Sequence, residues 1–256
     1  MPGKPDRQPA TLPPPDDLPL HAYGQTDQGL MRSDNEDALL VDADKRIFAV
    51  ADGLGGLPEG AMASEIAIEV LRQWTKKRKS TDTVNFPPVF TKINEAVYER
   101  GHEVSSDLGI GTTLTAAHIV GNQLTIGHIG DTALVVFKAD QWRQLTQDHT
   151  MAQEMISQLA PGEEAYIPDY FNHTLTRCLG QTGKVKVDVS TAQLEPGDRL
   201  LMFSDGVSKT MHMDEVHSLI FAASSPEAAV RKLIDTANER GGPDNTTAIA
   251  IFVEPA

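Results

Sequence analysis

Hydrophobic and polar positions fall into two periodicities along this chain. Short apolar runs at 47–51, 113–120, 123–129, 133–137, 199–203 and 247–253 are rich in β-branched residues and bounded by glycine and polar residues, as strands are. Gaps as short as Gly121-Asn122 suit antiparallel hairpins, since a parallel crossover needs a dozen residues or more. Elsewhere the apolar spacing is helical. One stripe is Met62, Ile66, Ala67, Val70, Leu71 and Trp74; another is Phe86, Phe90, Ile93 and Val97. A third, Val230, Leu233, Ile234 and Ala237, is opened by Ser225 as N-cap and Pro226 at the first helical position. Met151, Met155 and Leu159 mark a shorter helix. Each of the first three stripes reads as core packing, and one-sided helices beside hairpins predict sheets sandwiched between helical layers.

Composition sets the bounds. With 256 residues and 40% hydrophobic content, the chain can bury a core without disulfides, and residues 20–256 read as one folded domain. Seven of the sixteen prolines fall within the first twenty residues, so 1–19 reads as a disordered, proline-rich tail with no apolar core for a secretory signal. No apolar stretch approaches the ~20 residues that span a bilayer. The single cysteine, Cys178, excludes an intrachain disulfide and suits a reducing cytoplasm. A net charge of −14 opposes nucleic acid and anionic membrane surfaces, so neither is an expected partner. Bound divalent cations would offset several of these carboxylates at once.

Acids stand where the apolar runs stop. The run 48–51 ends at Asp52-Gly53, and 200–204 ends at Asp205-Gly206. Asp131 follows Gly127-His128-Ile129-Gly130, and Asp244 lies in Gly241-Gly242-Pro243-Asp244-Asn245, just before a strand. A single Asp-Gly after a strand is ordinarily a turn, with Asp capping the backbone and Gly supplying a positive φ. Four such acids beside buried-looking strands support a second reading, in which the strand ends converge. Carboxylates that close stay protonated in part unless cations neutralise them. An all-oxygen donor set, without Cys or clustered His, favours magnesium, manganese or calcium. Two such ions about 3.5–4 Å apart can activate a bridging water and clamp phosphoryl oxygens.

Upstream, the polar segment 26–37 adds Arg32-x-x-Asn35-Glu36-Asp37. In order along the chain follow Ala51-Asp52-Gly53-Leu54-Gly55-Gly56, Gly111-Thr112-Thr113, Gly130-Asp131-Thr132 and Leu145-Thr146-Gln147-Asp148-His149. Thr176-Arg177-Cys178-Leu179-Gly180, Ser204-Asp205-Gly206 and Asp244-Asn245 complete the series. In these eight motifs, over 22–253, the sequence resembles the bacterial branch of the metal-dependent, type 2C serine/threonine protein phosphatases.

The resemblance implies an α+β fold: a four-layer α-β-β-α sandwich of two mostly antiparallel sheets flanked by helices. It implies that Asp52 bridges two manganese or magnesium ions, that the Gly53 carbonyl completes the first ion's shell, and that Asp205 and Asp244 hold the second. Asp37 and Glu36 would reach metal-bound water, Asp131 with Asp205 would bind a weaker third ion, and Arg32 would grip the substrate phosphate with its forked donors. The implied reaction is hydrolysis of phosphoserine and phosphothreonine by a metal-bridging hydroxide, with no covalent intermediate. The implied partners are phosphoproteins, a serine/threonine kinase that modifies them and its other targets, with the phosphatase acting as a monomer in bacterial signalling. Residues 148–173 match the family's flap, which contributes to substrate choice.

Some positions depart from the family pattern. Leu54 stands where eukaryotic relatives have a histidine and bacterial ones a methionine, Leu57 where bacteria commonly have histidine, and Ala133 where an arginine is usual. Cys178 has no family role and reads as a structural thiol. His118 and His128, inside strands, read as structural, and His149 as a motif residue without a catalytic role. A dinucleotide-binding turn after residue 51 is excluded: Pro58 stands where glycine is required, and Asp52 would repel pyrophosphate. No G-K-[ST] follows a glycine loop, which excludes a nucleotide P-loop. A non-catalytic signalling module is disfavoured by the intact Asp37, Asp52, Asp205 and Asp244.

Overall fold

In β3 (Ile47–Asp52) successive side chains point to opposite faces, and both faces are apolar. Phe48 and Val50 pack toward a second sheet, whereas Ile47, Ala49 and Ala51 pack toward helices. The strand β10 (Thr246–Val253) does the same: Ile249, Ile251 and Val253 face the other sheet, and Ala248, Ala250 and Phe252 face helices. Strands buried on both faces require four layers, and that is the architecture of this computed structural model. It describes residues 18–54, 59–79, 81–104, 109–160, 163 and 165–254. The expectations for the tail up to residue 17 and for Gly55, Gly56, Leu57 and Pro58 lie outside these.

One sheet orders β2 (Asp37–Asp42), β3, β4 (Leu114–Val120), β5 (Gln123–Ile129) and β8 (Asp188–Gln193). The other orders β1 (Leu20–Asp27), β10, β9 (Arg199–Phe203), β6 (Ala133–Lys138) and β7 (Gln141–Gln144). Every pairing between these strands is antiparallel. The helices α1 (Gly60–Lys76) and α2 (Phe86–Val104) cover the first sheet. The short α4 (Asp205–Ser208), α5 (Met213–Ala222) and α6 (Pro226–Glu239) cover the second. Between β7 and β8 the chain forms α3 (Met151–Gln158) and a 3-10 turn, Asp169–His173.

The six expected strands stand within one residue of their predicted bounds. At α6 the Ser225 hydroxyl accepts from the Ala228 N–H, as an N-cap should. The α1 stripe, however, is rotated by about one position. Ala63, Ala67 and Leu71 are fully buried on the sheet, while Met62, Ile66, Val70 and Trp74 are half-buried along the flank. Alanine lets the helix approach the sheet closely, so the larger residues are set to the side. Four strands had no sequence expectation: β1 and β2 are half-buried, and β7 and β8 are largely exposed edges without an apolar run.

Candidate active site

The two sheets bring the acids to one end of the sandwich. Asp37 opens β2 and lies directly opposite Asp52, the last residue of β3. Asp131 follows β5, Asp205 follows β9, and Asp244 precedes β10. A cleft of about 200 Å³ is lined by Asp52, Asp131, Asp205 and Asp244, with Arg32, Glu36, Gly53 and Leu54 around them. Asp37 lies behind this lining and is almost fully buried.

Several motif residues hold the cleft's backbone. The Asp52 N–H donates to the Thr113 hydroxyl (3.0 Å), and the Asp52 carbonyl accepts from the Thr113 N–H (2.8 Å) and the Thr112 hydroxyl (2.9 Å). Asn245 pins the loop that carries Arg32 and Glu36: its Oδ1 accepts from the Glu36 N–H (2.9 Å), and its Nδ2 donates to the Gln28 and Asp34 carbonyls. Gly53 and Gly206 are absent from the positive-φ residues, so neither serves an ordinary Asp-Gly turn. Their role is close approach. A Cβ on Gly53 would lie 2.2 Å from the Gly60 carbonyl oxygen, and one on Gly206 would lie 2.0 Å from that of Asn245.

His149 fastens the Asp131 turn. Its backbone N–H donates to the Gly130 carbonyl (2.8 Å), and its Nδ1 accepts from the Gly130 N–H (3.0 Å). Nε2 then carries the proton and donates to Asp188 (3.1 Å), which also receives Arg177 (2.7 Å). His128 stacks beside it, with Nε2 donating to the Gln147 carbonyl and Nδ1 accepting from Thr115. Burial holds both imidazoles below their usual pKa, His128 at about 3. These are neutral, structural histidines. Cys178 lines a separate cavity with Asn94 and Lys184, and burial raises its thiol pKa.

Electrostatic crowding marks the cleft. Burial, followed by Asp37, Asp205, Asp131 and Asp244, raises the Asp52 pKa well above the carboxylate range. Asp37 is pushed to about 7 by burial, against a hydroxyl donated by Ser204 at 2.6 Å, and then by Asp205 and Asp244. Asp131 is likewise raised to about 7 by burial and Asp205. These acids need positive charge, and their oxygens suit a hard divalent cation. Among the described residues, however, no three acidic, His or Cys side chains are grouped closely enough to hold an ion as they stand. Two protein cations take part of that place. Arg32 Nη2 donates to Asp244 Oδ2 at 2.8 Å, and Lys209 Nζ lies 2.5 Å from Oδ2 of both Asp205 and Asp244.

Sequence reasoning passed over Lys209. Its signal was a lysine one helical turn after Asp205, at a distance where an i,i+4 pair can form. It also passed over His173, which the 3-10 turn brings into the cleft, with Nδ1 3.8 Å from Asp205.

The family model for protein phosphatase 2C matches residues 26–239. The serine/threonine phosphatase stp of Listeria innocua is 31% identical over 242 residues, covering 91% of this chain and 95% of its own. Among solved structures, the PPM phosphatase MsPP of Mycobacterium smegmatis, in complex with cacodylate, aligns with a TM-score of 0.78 and 32% identity, covering 93% and 99% of the two chains. The catalytic domain of the phosphatase PstP, solved with two manganese ions, aligns at 0.77 and 29% identity, covering 92% and 98%. The chain belongs to the protein phosphatase 2C family of metal-dependent serine/threonine phosphatases.

Proposed function

We propose that this cleft hydrolyses phosphoserine and phosphothreonine in proteins modified by a serine/threonine kinase, and that manganese or magnesium serves it. The observation that carries the reading is the convergence of Asp52, Asp131, Asp205 and Asp244 around one cleft beside Arg32. Asp52 and the Gly53 carbonyl would hold one ion, with Asp52, Asp205 and Asp244 holding a second. Asp37 and Glu36 would act through water, and Asp131 with Asp205 would hold a third. Ions bound there supply a water of lowered pKa and neutralise charge on the phosphoryl oxygens.

The chain's own groups do the rest. Arg32 is partly exposed at the rim, so its forked guanidinium can exchange Asp244 for a phosphate and orient it. Thr112 and Thr113 fix the Asp52 backbone, so its carboxylate needs little reorganisation during reaction. Leu54 lines the cleft and has no proton to give, which leaves protonation of the departing oxygen to water or another group. Residues 148–173 border the cleft through His173 and would select the phosphoprotein. The proposed setting is a monomer in the cytoplasm, within the proposed domain 20–256. Among the described residues no helix is long and apolar enough to cross a membrane.

The test is hydrolysis of para-nitrophenyl phosphate and a phosphothreonine peptide by pure protein with manganese, magnesium or chelator. Turnover that requires the ion, is abolished by Asp205→Asn and shows a raised KM in Arg32→Ala supports the proposal. Absence of metal-dependent turnover refutes it, and an unchanged KM in Arg32→Ala removes the phosphate-binding role.

A further inference from the structure

Asp205 and Asp244 already share a cation. Lys209 extends from the end of α4, one turn after Asp205, and its backbone N–H donates to the Asp205 carbonyl at 2.8 Å. That anchor fixes where the side chain starts, and its Nζ then reaches Oδ2 of both acids at 2.5 Å. Arg32 donates to the same Asp244 oxygen at 2.8 Å, while the Asn245 N–H donates to Oδ1 at 2.9 Å. A carboxylate oxygen offers two in-plane lone pairs. Oδ2 of Asp244 is therefore filled by two cationic donors, and Oδ1 is engaged by an amide.

The other half of the site is held differently. Asp37 takes a neutral hydroxyl from Ser204, and Asp52 faces the carboxylates of Asp37, Asp205, Asp131 and Asp244. An ion entering beside Asp52 meets crowded carboxyl groups and, among the described residues, no ion-paired ammonium. An ion entering between Asp205 and Asp244 must first move a lysine. Lys209 lines the open cleft and is partly exposed, so its ammonium has solvent to swing into.

We propose that Lys209 is a built-in competitor for the second divalent ion, holding the Asp205 and Asp244 pair closed in the metal-free protein and making metal loading ordered. The Asp52 side fills first and tightly; the Asp205 and Asp244 side fills second and more weakly, because binding there requires Lys209 to leave. The inference rests on the reading of these acids as metal ligands and adds a residue that sets their affinity. Lys209 is a positioning residue here, since it acts on the ligands rather than on substrate.

The experiment is calorimetric titration of chelator-stripped protein with manganese alone, at fixed pH and ionic strength, for wild type, Lys209→Gln and Lys209→Arg. Wild type should show two classes of site. Lys209→Gln should tighten the weaker class by about tenfold or more and leave the tighter class within about twofold, because one nearby competing charge is gone. Lys209→Arg keeps the charge and should stay near wild type. A second measurement needs no folded neutral variant. In wild-type protein with 13C-labelled lysine, the Lys209 Cε resonance, assigned by its loss in Lys209→Arg, should move only as the second equivalent of magnesium binds. An unchanged or weakened second class in Lys209→Gln, or a Lys209 resonance that moves with the first equivalent or never, overturns the proposal alone. A wild-type protein that binds no ion overturns the metal-site reading and this proposal with it.

Discussion

Replacing Asp37 by asparagine should make the metal-free protein more stable above neutral pH, although it removes a residue expected to serve the site. Asp37 is only 8% exposed and faces Asp52 directly across the β2–β3 pair. Burial, then Asp205 and Asp244, raise its pKa from an ordinary 3.8 to about 7, even with Ser204 and Thr247 donating to it. An acid raised in this way binds more protons folded than unfolded between those two values. Stability is therefore lost as pH climbs through the window from 3.8 to 7, and the loss is complete above it. The window is about three units wide, and at ~1.4 kcal/mol per unit the penalty is on the order of 4 kcal/mol. Part of it is shared with Asp52, so the expected gain for Asp37→Asn at pH 8 is about 2–4 kcal/mol, falling toward zero by pH 4. Asparagine retains an oxygen for Ser204, which limits the loss of packing. The assay is urea unfolding with chelator at pH 4, 6 and 8 for both proteins. A variant less stable than wild type at pH 8, or a difference that does not grow with pH, would refute the claim that crowded carboxylates strain the fold.

Three other outcomes follow from particular contacts. Burial, with His149 beside it, lowers His128 from 6.5 to about 3, so the folded state binds fewer protons in that window and stability falls as pH drops through it. At pH 5 the cost is about 2 kcal/mol, and His128→Gln should flatten the loss between pH 7 and 5 by about that much in chelator-treated urea unfolding. Gly53→Ala would press a Cβ against the Gly60 and Glu36 backbone carbonyls, at 2.2 and 2.7 Å. Backbone on both sides must shift, so urea unfolding should show a loss of about 1–3 kcal/mol and steady-state assays at least about a tenfold loss in kcat/KM. Exchanging residues 148–173 for the flap of another family member should change peptide preference but spare para-nitrophenyl phosphate; proportional changes in both activities contradict a selective role.

Much of this was legible because the strands that carry the acids are buried on both faces. Unbroken runs such as Phe48-Ala49-Val50-Ala51 announce themselves, and so do the acids at their ends. The half-buried β1, broken by polar residues, and the short run Ala38-Leu39-Leu40-Val41 of β2 were passed over, although β2 supplies Asp37 and β1 leads to the Arg32 loop. The motif order located those two residues where periodicity could not. Ordinary turn chemistry proved a poor guide to Gly53 and Gly206, whose reason is a neighbouring carbonyl rather than a positive φ. Lys209 carried the i,i+4 signal of its pairing with Asp205, but its contact with Asp244 was illegible for a physical reason: that residue is 35 positions away and meets it only once β9 and β10 are paired.

The most direct measurement is anomalous diffraction at the manganese edge from crystals grown with manganese. Two strong peaks are expected, one against Asp52 and the Gly53 carbonyl and one against Asp205 and Asp244, with the Lys209 ammonium withdrawn from that pair. Peaks elsewhere on the molecule, or none at these aspartates at saturating manganese, would refute the assignment of these acids as metal ligands.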